Sequence, residues 1–549
     1  MFHSFHKTIG SAVLAFTVTM SSVGSMLAHD DARRSEPAKD IEAHRQMDFG
    51  FAGFDTLNKQ LQRDFRDFNF ETGAVEYLRG MQLAPAANSH LVGQWSPVFN
   101  LPIVPIHNAV LPTGKVLMWD SVGDLPAEQY IDHNTTRAVV WDPATGTATR
   151  FDVTTGFNLF CAGHAALPDG RQFISGGNLN SALEGLDAIH TFNPFLTSWS
   201  FLGRTGQGGR WYPSVTALAS GDMLITSGGP NTPEIFNLES GLSSLTTASL
   251  AMPLYPWLQA APNGQTLYFG PSDGLSYLDT GGTGAWDHRG ARDGINRDYG
   301  SYAMYDTGKI LTAGGERSVK HTAVVDITQG TPRVSRANDL NTGRRQHNLT
   351  ALPNGGVLVT GGLSSGVGAV DLNAGVYTAE LWNPATGAWT NLAAMQKTRQ
   401  YHSAALLLPD GRVLVGGGGI CGPCYTVGYL EKNIEIFSPP YLFKTDGSGA
   451  LATRPTISLS PANVSYGQSF EIQTEIPRNI TQVVLMRPAS VTHSVDFEQR
   501  RVPLRFSIVR KRLQATAPAG AALAPPGYYM MFLIDDKGVP SIAKILKLG

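Results

Sequence analysis

YHSAALLLPDGRVLVGGGG, residues 401–419, is an apolar run, a Pro-Asp-Gly turn and a second apolar run that closes on four glycines. Apolar runs on either side of an Asp-Gly or Asn-Gly turn are the strongest local signal of a β-hairpin. The pattern recurs six times upstream: HNAVLPTGKVLMWD (107–120), CAGHAALPDGRQFISGG (161–177), WYPSVTALASGDMLITSGG (211–229), YPWLQAAPNGQTLYFG (255–270), YGSYAMYDTGKILTAGG (299–315) and HNLTALPNGGVLVTGG (347–362). The turn glycines are Gly114, Gly170, Gly221, Gly264, Gly308, Gly355 and Gly411, spaced 43 to 56 residues apart. Repetition at this period predicts an array of small sheets.

A third segment follows each hairpin, as in AVVWDPATGTATRFDV (138–153) and AELWNPATGAWTNL (379–392). Its aromatic residue, Asp-Pro or Asn-Pro and short turn resemble the outer half of a kelch blade. Seven repeats predict an all-β fold, a seven-bladed kelch-type β-propeller over 91–445 that closes radially and so hides its sheet edges. A linker at 446–454 leads to short alternating strands over 455–549, among them SFEIQTE, TQVVLMR and YYMMFLIDD. These predict a C-terminal immunoglobulin-like (early-set) β-sandwich. Residues 29–90 form a polar N-terminal extension, helical in pattern over 55–80, to which no role is assigned.

Composition agrees with a turn-rich β chain. The 549 residues include 60 Gly and 33 Pro, and only 16% are charged. A net charge of −2 offers no basic surface for nucleic acid. Residues 1–28 read as a signal peptide: Lys7 supplies the positive start, 9–28 carries no charge, and Met26-Leu27-Ala28 ends it at a cleavage site. Twenty uncharged residues are just enough to anchor a chain in a bilayer, but the run is rich in Ser and Thr, which favours cleavage. The mature chain then has no transmembrane domain, is a monomer, and is secreted to the extracellular space, the periplasm or the cell surface.

The three cysteines are Cys161, Cys421 and Cys424. In an oxidising compartment Cys421 and Cys424 are the natural disulfide. The other reading of a CxxC is thiol exchange, which usually opens a helix in a βαβ unit; this one follows a glycine run in β-type sequence. Cys161 is then left over and requires an explanation.

A site in a propeller lies on the axis, where the inner strands begin. The repeats place His107, Cys161, Trp211-Tyr212, Tyr255, Tyr299, His347 and Tyr401-His402 at or just before those strands. Adjacent residues on a strand point to opposite faces, so Tyr401 and His402 reach one point only where the strand gives way to a loop. Tyr255 and Trp257 read as core. His347 and His164 match no ligand motif and read as structural or substrate-facing. Arg289, Arg292 and Arg345 read as solvated surface or as the mouth of the site. The glycosylation sequons at Asn134, Asn348, Asn463 and Asn479 matter only in a glycosylating host.

Four segments together resemble the copper radical oxidases, the galactose oxidase and glyoxal oxidase family, with glyoxal oxidase the nearer form. They are FCAG (160–163), GGRWYPS (208–214), RQYHSAALLLPDGRVLVGGGGICGPC (399–424) and THSVDFEQRRVPL (492–504). The resemblance covers about 450 residues. It implies one copper ion bound by Tyr212, Tyr401, His402 and His493, and a thioether between Cys161 and the ring of Tyr212 that serves as a radical cofactor. Tyr401 would be the axial phenol and general base. The implied reaction is two-electron oxidation of small aldehydes, as hydrates, or alcohols, with O2 reduced to H2O2, which peroxidases could use. Copper accepts only one electron, and no GxGxxG between the strand and helix of a βαβ unit supplies a nicotinamide or flavin, so a second acceptor is needed. Galactose oxidase carries a tryptophan over the thioether soon after the corresponding Gly-Gly. Here Gly228-Gly229 leads to Pro230-Asn231-Thr232-Pro233 instead. The competing reading is a catalytically inactive secreted kelch propeller that binds glycan or protein.

Overall fold

The computed structural model describes residues 86–124, 135–180 and 184–549. The expected signal peptide at 1–28, the helical stretch at 55–80 and Asn134 lie outside the described residues. Each of the seven repeats forms an antiparallel sheet. In blade 7 the strands Ser403–Leu407, Val413–Gly417 and Asn433–Ser438 run outward from the axis. Its outer edge is completed by Gln94–Trp95 and Phe99–Asn100 from the other end of the propeller. The ring is thus closed by backbone hydrogen bonds, and Trp95 Nε1 donates to Ala393 O of blade 6 at 2.8 Å.

Most of the hairpin turns are longer than a bare Asp-Gly or Asn-Gly pair, the two-residue loop that these dipeptides favour. In blade 7 Leu408 N donates to Arg412 O at 2.8 Å and Gly411 N donates to Leu408 O at 2.9 Å. That is a three-residue loop, a type I turn followed by a left-handed residue. Pro409 presets the first turn position, and Gly411, at φ 80°, takes the conformation that a side chain would resist. The same bonding recurs at Leu111, Leu167, Leu218, Ala261 and Leu352. Only blade 5, where Asp306 pairs with Lys309, has the two-residue form.

Three blades share a buried clasp. Glu435, on the third strand of blade 7, accepts from Gln396 N at 2.7 Å, Lys397 N at 3.2 Å and Arg399 Nη2 at 3.0 Å. Glu234 accepts likewise from Gly206 N, Gln207 N and Arg210, and Glu380 from Asn341 N, Thr342 N and Arg344. All six charged side chains are fully buried. Each clasp fixes the crossing segment that leads from one blade to the inner strand of the next.

The last domain is a seven-stranded β assembly. Between its strands Ile480–Met486 and Arg501–Val509 the chain leaves the sandwich as a finger and enters the propeller axis. The finger hairpin, Ser490–Thr492 with Val495–Asp496, adds to the innermost strand of blade 1, His107–Val110, and makes a six-stranded sheet. Other blades grip it as well. Gln172 Nε2 donates to Ser490 Oγ at 2.9 Å, Gln259 Nε2 to Phe497 O at 3.0 Å, Ser301 Oγ to Ser494 O at 2.7 Å and Tyr302 OH to Asp496 O at 2.8 Å.

Gln499 ties the finger to blades 5 and 6. Its Nε2 donates to Leu349 O at 2.8 Å and Tyr302 O at 3.2 Å, and its Oε1 accepts from Ala351 N at 2.8 Å. Gln499→Ala strands three buried backbone groups. It is expected to destabilise the protein by about 3 kcal/mol in a urea melt. Asn479→Ala, whose amide bonds only exposed Asp536, is expected to shift the midpoint little.

Candidate active site

The axial loops share one backbone device. Cys161, Tyr212, Tyr255, Tyr299, Gln346 and His402 each stand nine residues before the turn glycine of their own repeat, and each has positive φ: 64°, 59°, 44°, 57°, 57° and 67°. A non-glycine residue in this region is uncommon and is held there by its surroundings. The kink recurs at or just before the start of the inner strand in six of the seven blades. In blade 6 the kinked residue is Gln346, not the expected His347, which is buried beside Gly314. In blade 1 the equivalent position is Pro105.

Backbone bonds link these residues around the axis. Tyr212 N donates to Cys161 O at 2.9 Å, Tyr255 N to Tyr212 O at 2.9 Å and Gln346 N to Tyr299 O at 2.6 Å. The blades bearing Cys161 and Tyr212 approach closely, because a Cβ on Gly163 would lie 2.4 Å from Pro213 O. This explains why glycine follows so soon after Cys161.

Blade 7 departs from the others in a way that accounts for its two donors. The clasp arginine stands two residues before the kinked residue in blade 3 (Arg210, Tyr212) and blade 6 (Arg344, Gln346), but three before it in blade 7 (Arg399, His402). The extra residue lets Tyr401 and His402 both turn inward: their rings stack at 3.9 Å and 25°. Tyr401 OH lies 2.9 Å from Tyr212 OH.

His493 arrives at the tip of the finger. It and Ser494 form a two-residue hairpin turn with φ 49° and 67°, where Asn-Gly would be the relaxed choice. Its Nε2 is 3.0 Å from Tyr212 OH, and Thr492 Oγ1 engages its Nδ1 at 2.6 Å. The His402 ring centre is 4.4 Å from that of His493. His402 Nδ1 meets the carbonyl oxygen of Gly419 at 2.6 Å. A carbonyl only accepts, so Nδ1 carries the proton and Nε2 the lone pair. Two phenols and two imidazoles from blades 3 and 7 and the finger are thus brought to one point, all buried.

The surrounding wall is uncharged. Burial pushes His164 down to about 3. It also holds His107 well below its usual value, helped by the neighbouring His164 and His402. His107 stacks on Trp119 at 4.7 Å and 6°, and its Nε2 accepts from Cys161 N at 3.1 Å. Cys161 is buried and takes no part in the disulfide. The ring of Tyr212 is flanked edge-on by Trp211 at 4.1 Å and Tyr255 at 4.6 Å. The 230–233 segment instead serves the clasp, with Pro230 O and Thr232 O accepting from Arg210.

Other expectations resolve as follows. Cys421 and Cys424 are disulfide-bonded, and Cys421 caps a one-turn helix, Gly422–Thr426; the helix absent from the sequence reading exists, but inside a propeller loop. The pair packs with Tyr401, Tyr429 and Ala369. Arg289 is exposed and paired with Asp287. Arg292 and Arg345 are buried rather than solvated. Arg292 Nη1 donates to Phe269 O, and Arg345 lies over the Tyr299 ring at 4.5 Å and donates to Gly368 O. Asn348 is also buried, its amide 3.4 Å from Ser403 O, which removes it as a glycan acceptor in the folded chain. The role of His107 had no signal in any local motif, because its partner is 54 residues away.

A propeller whose axis gathers phenols, imidazoles and a thiol, capped by a second β domain that contributes one of the imidazoles, has the design of a radical oxidase. Residues 454–548 match the family described as "Galactose oxidase-like, Early set domain". The chain is 32% identical to the galactose oxidase of Gibberella zeae over 87% of its own length and 77% of that protein. It is 28% identical to aldehyde oxidase GLOX of Vitis pseudoreticulata, covering 85% of this chain and 99% of that one. Its fold is similar to that of a fungal alcohol oxidase of the AA5 family solved in complex with copper, with TM-score 0.75 and 26% identity over 83% of this chain and 99% of that chain. The chain belongs to the copper radical oxidases of the galactose oxidase and glyoxal oxidase family, and it is an oxidase.

Proposed function

We propose that the protein is a secreted copper radical oxidase that oxidises small aldehydes, as hydrates, or small alcohols by two electrons and passes them to O2 as H2O2. The observation that carries this reading is the position of Tyr212 OH, 2.9 Å from Tyr401 OH and 3.0 Å from His493 Nε2. No trio of His, Cys, Asp or Glu side chains able to hold a metal is found among the described residues; at this point the phenols are the further donors. Tyr212, Tyr401, His402 and His493 supply two oxygen and two imidazole donors, a set that suits Cu(II). Copper, when bound, accepts one electron and polarises the substrate oxygen.

The chain's own residues do the rest. Tyr401 takes the proton of the substrate hydroxyl as general base. The Tyr212 side chain, joined to Cys161 Sγ by a thioether and already oxidised by one electron to a radical, takes the hydrogen atom from carbon on its phenoxyl oxygen; sulfur substitution lowers the cost of that prior oxidation. Uncharged His107, His164 and Trp119 keep the wall apolar. Trp211 and Tyr255 shield the ring where no tryptophan follows Gly228-Gly229. Export rests on the 1–28 stretch; among the described residues no helix is long and apolar enough to cross a membrane.

Peroxide release from a panel of small aldehydes and alcohols tests the activity. Copper loading in air is expected to remove two hydrogens from the intact mass of the unmodified chain, and none from Cys161→Ser. A panel with no peroxide-yielding substrate would favour the inactive glycan- or protein-binding propeller. An unchanged mass with peroxide still released would refute the thioether alone.

A further inference from the structure

Cys161 is held differently from the neighbouring kinked residues of blades 3 and 4. At Tyr212 and Tyr255 the kinked residue donates its N–H to the carbonyl oxygen of the kinked residue one blade back. Cys161 has no such acceptor. Blade 1 carries Pro105 at the matching position, and Pro105 O is taken by Asn108 Nδ2 at 2.9 Å. Cys161 N donates instead to a side chain, His107 Nε2, at 3.1 Å. An imidazole nitrogen that accepts is the unprotonated one, and the stacking of His107 on Trp119 fixes the ring plane. On the other side of the residue, Tyr255 OH donates to Ala162 O at 3.0 Å, and Tyr212 N donates to Cys161 O. The peptides on both sides of Cys161 are therefore held from blades 1, 3 and 4 while the residue sits at φ 64°.

We propose that His107 is a positioning residue that, with Tyr255, clamps the Cys161 backbone so that its thiol is presented to the Tyr212 ring for thioether formation. This rests on the radical-oxidase reading above. The step exchanges the S–H of Cys161 and one ring C–H of Tyr212 for a C–S bond. Two protons and two electrons leave, and O2 takes them up as H2O2. Neither His107 nor Tyr255 enters the balance. Their contribution is geometric: without the clamp the strained Cys161 loop relaxes, and the thiol spends less time against the ring.

The test follows the mass of copper-free chain after addition of Cu(II) in air-saturated buffer. The unmodified chain loses two hydrogens with a measurable rate constant. His107→Phe, which keeps the stacking ring and removes the acceptor, is expected to slow that loss about tenfold, the effect of one buried hydrogen bond on a rate. His107→Gln places an amide oxygen near the former Nε2 and is expected to recover most of the rate, which a merely space-filling role would not do. Copper content and circular dichroism are read on the same samples. Tyr255→Phe deletes a single hydroxyl, keeps the ring against Tyr212, and is expected to slow crosslinking several-fold; it decides the matter if His107→Phe misfolds. Unmodified rates in folded His107→Phe and in Tyr255→Phe overturn the clamp. Absence of the mass loss in the unmodified chain overturns the thioether itself.

Discussion

Tyr212→Phe is expected to lower peroxide release by at least about 10³-fold, a barrier increase of roughly 4 kcal/mol, on whichever substrate the unmodified protein oxidises best. The substitution keeps the ring between Trp211 and Tyr255 and removes only the oxygen that meets Tyr401 and His493. A phenylalanine ring cannot serve as a one-electron acceptor beside copper, so the two-electron reaction loses half of its oxidising equivalent. The fold should survive, since the loss amounts to two hydrogen bonds, roughly 1–2 kcal/mol. The same variant is expected to show no loss of two hydrogens on copper loading. Activity within tenfold of the unmodified protein would remove Tyr212 from the chemistry and leave the site without a second acceptor.

Glu435→Ala is expected to be the most destabilising single change near the site, at about 3–5 kcal/mol. It leaves the Arg399 guanidinium fully buried without its carboxylate and frees Gln396 N and Lys397 N from their acceptor. Arg399 keeps bonds to Gly417 O, Asn433 O and Asn433 Oδ1, which do not neutralise it. The damage should extend to the site, because Arg399 sets the start of the segment that turns Tyr401 and His402 inward. A urea melt of the copper-free protein reads the stability. A copper titration of folded protein reads the site, where weaker binding is expected. An unchanged melt would show that the clasp is a redundant ornament of the blade crossing.

The hairpin repeats were legible because each is local. Apolar alternation and a turn glycine lie within twenty residues of one another, and the closing of the sheets follows from their number. Turn type was less legible: Pro-Asp-Gly fits two- and three-residue loops, and only the bonding of Leu408 to Arg412 distinguishes them. Gln346 has no metal-ligating group to mark it beside the imidazole of His347, and the kink is set by the count of residues back from Gly355. The burial of Arg292 and Arg345 is not legible, because a charge hidden by main-chain carbonyls leaves no mark in sequence.

The propeller, the second β domain and the inventory of unusual donors are all legible in sequence, since periodicity, turn chemistry and residue type are properties of short stretches. That Tyr212, Tyr401, His402 and His493 share one point is a matter of the folded chain alone. They lie up to 281 residues apart, and what unites them is the closing of a ring, one extra residue after Arg399, and a finger gripped by the inner strands of several blades. The place of Cys161 is decided at the same level: His107 holds its N–H, and the absent Cβ of Gly163 lets its blade meet that of Tyr212. Long-range packing sets these distances, and no local pattern encodes them.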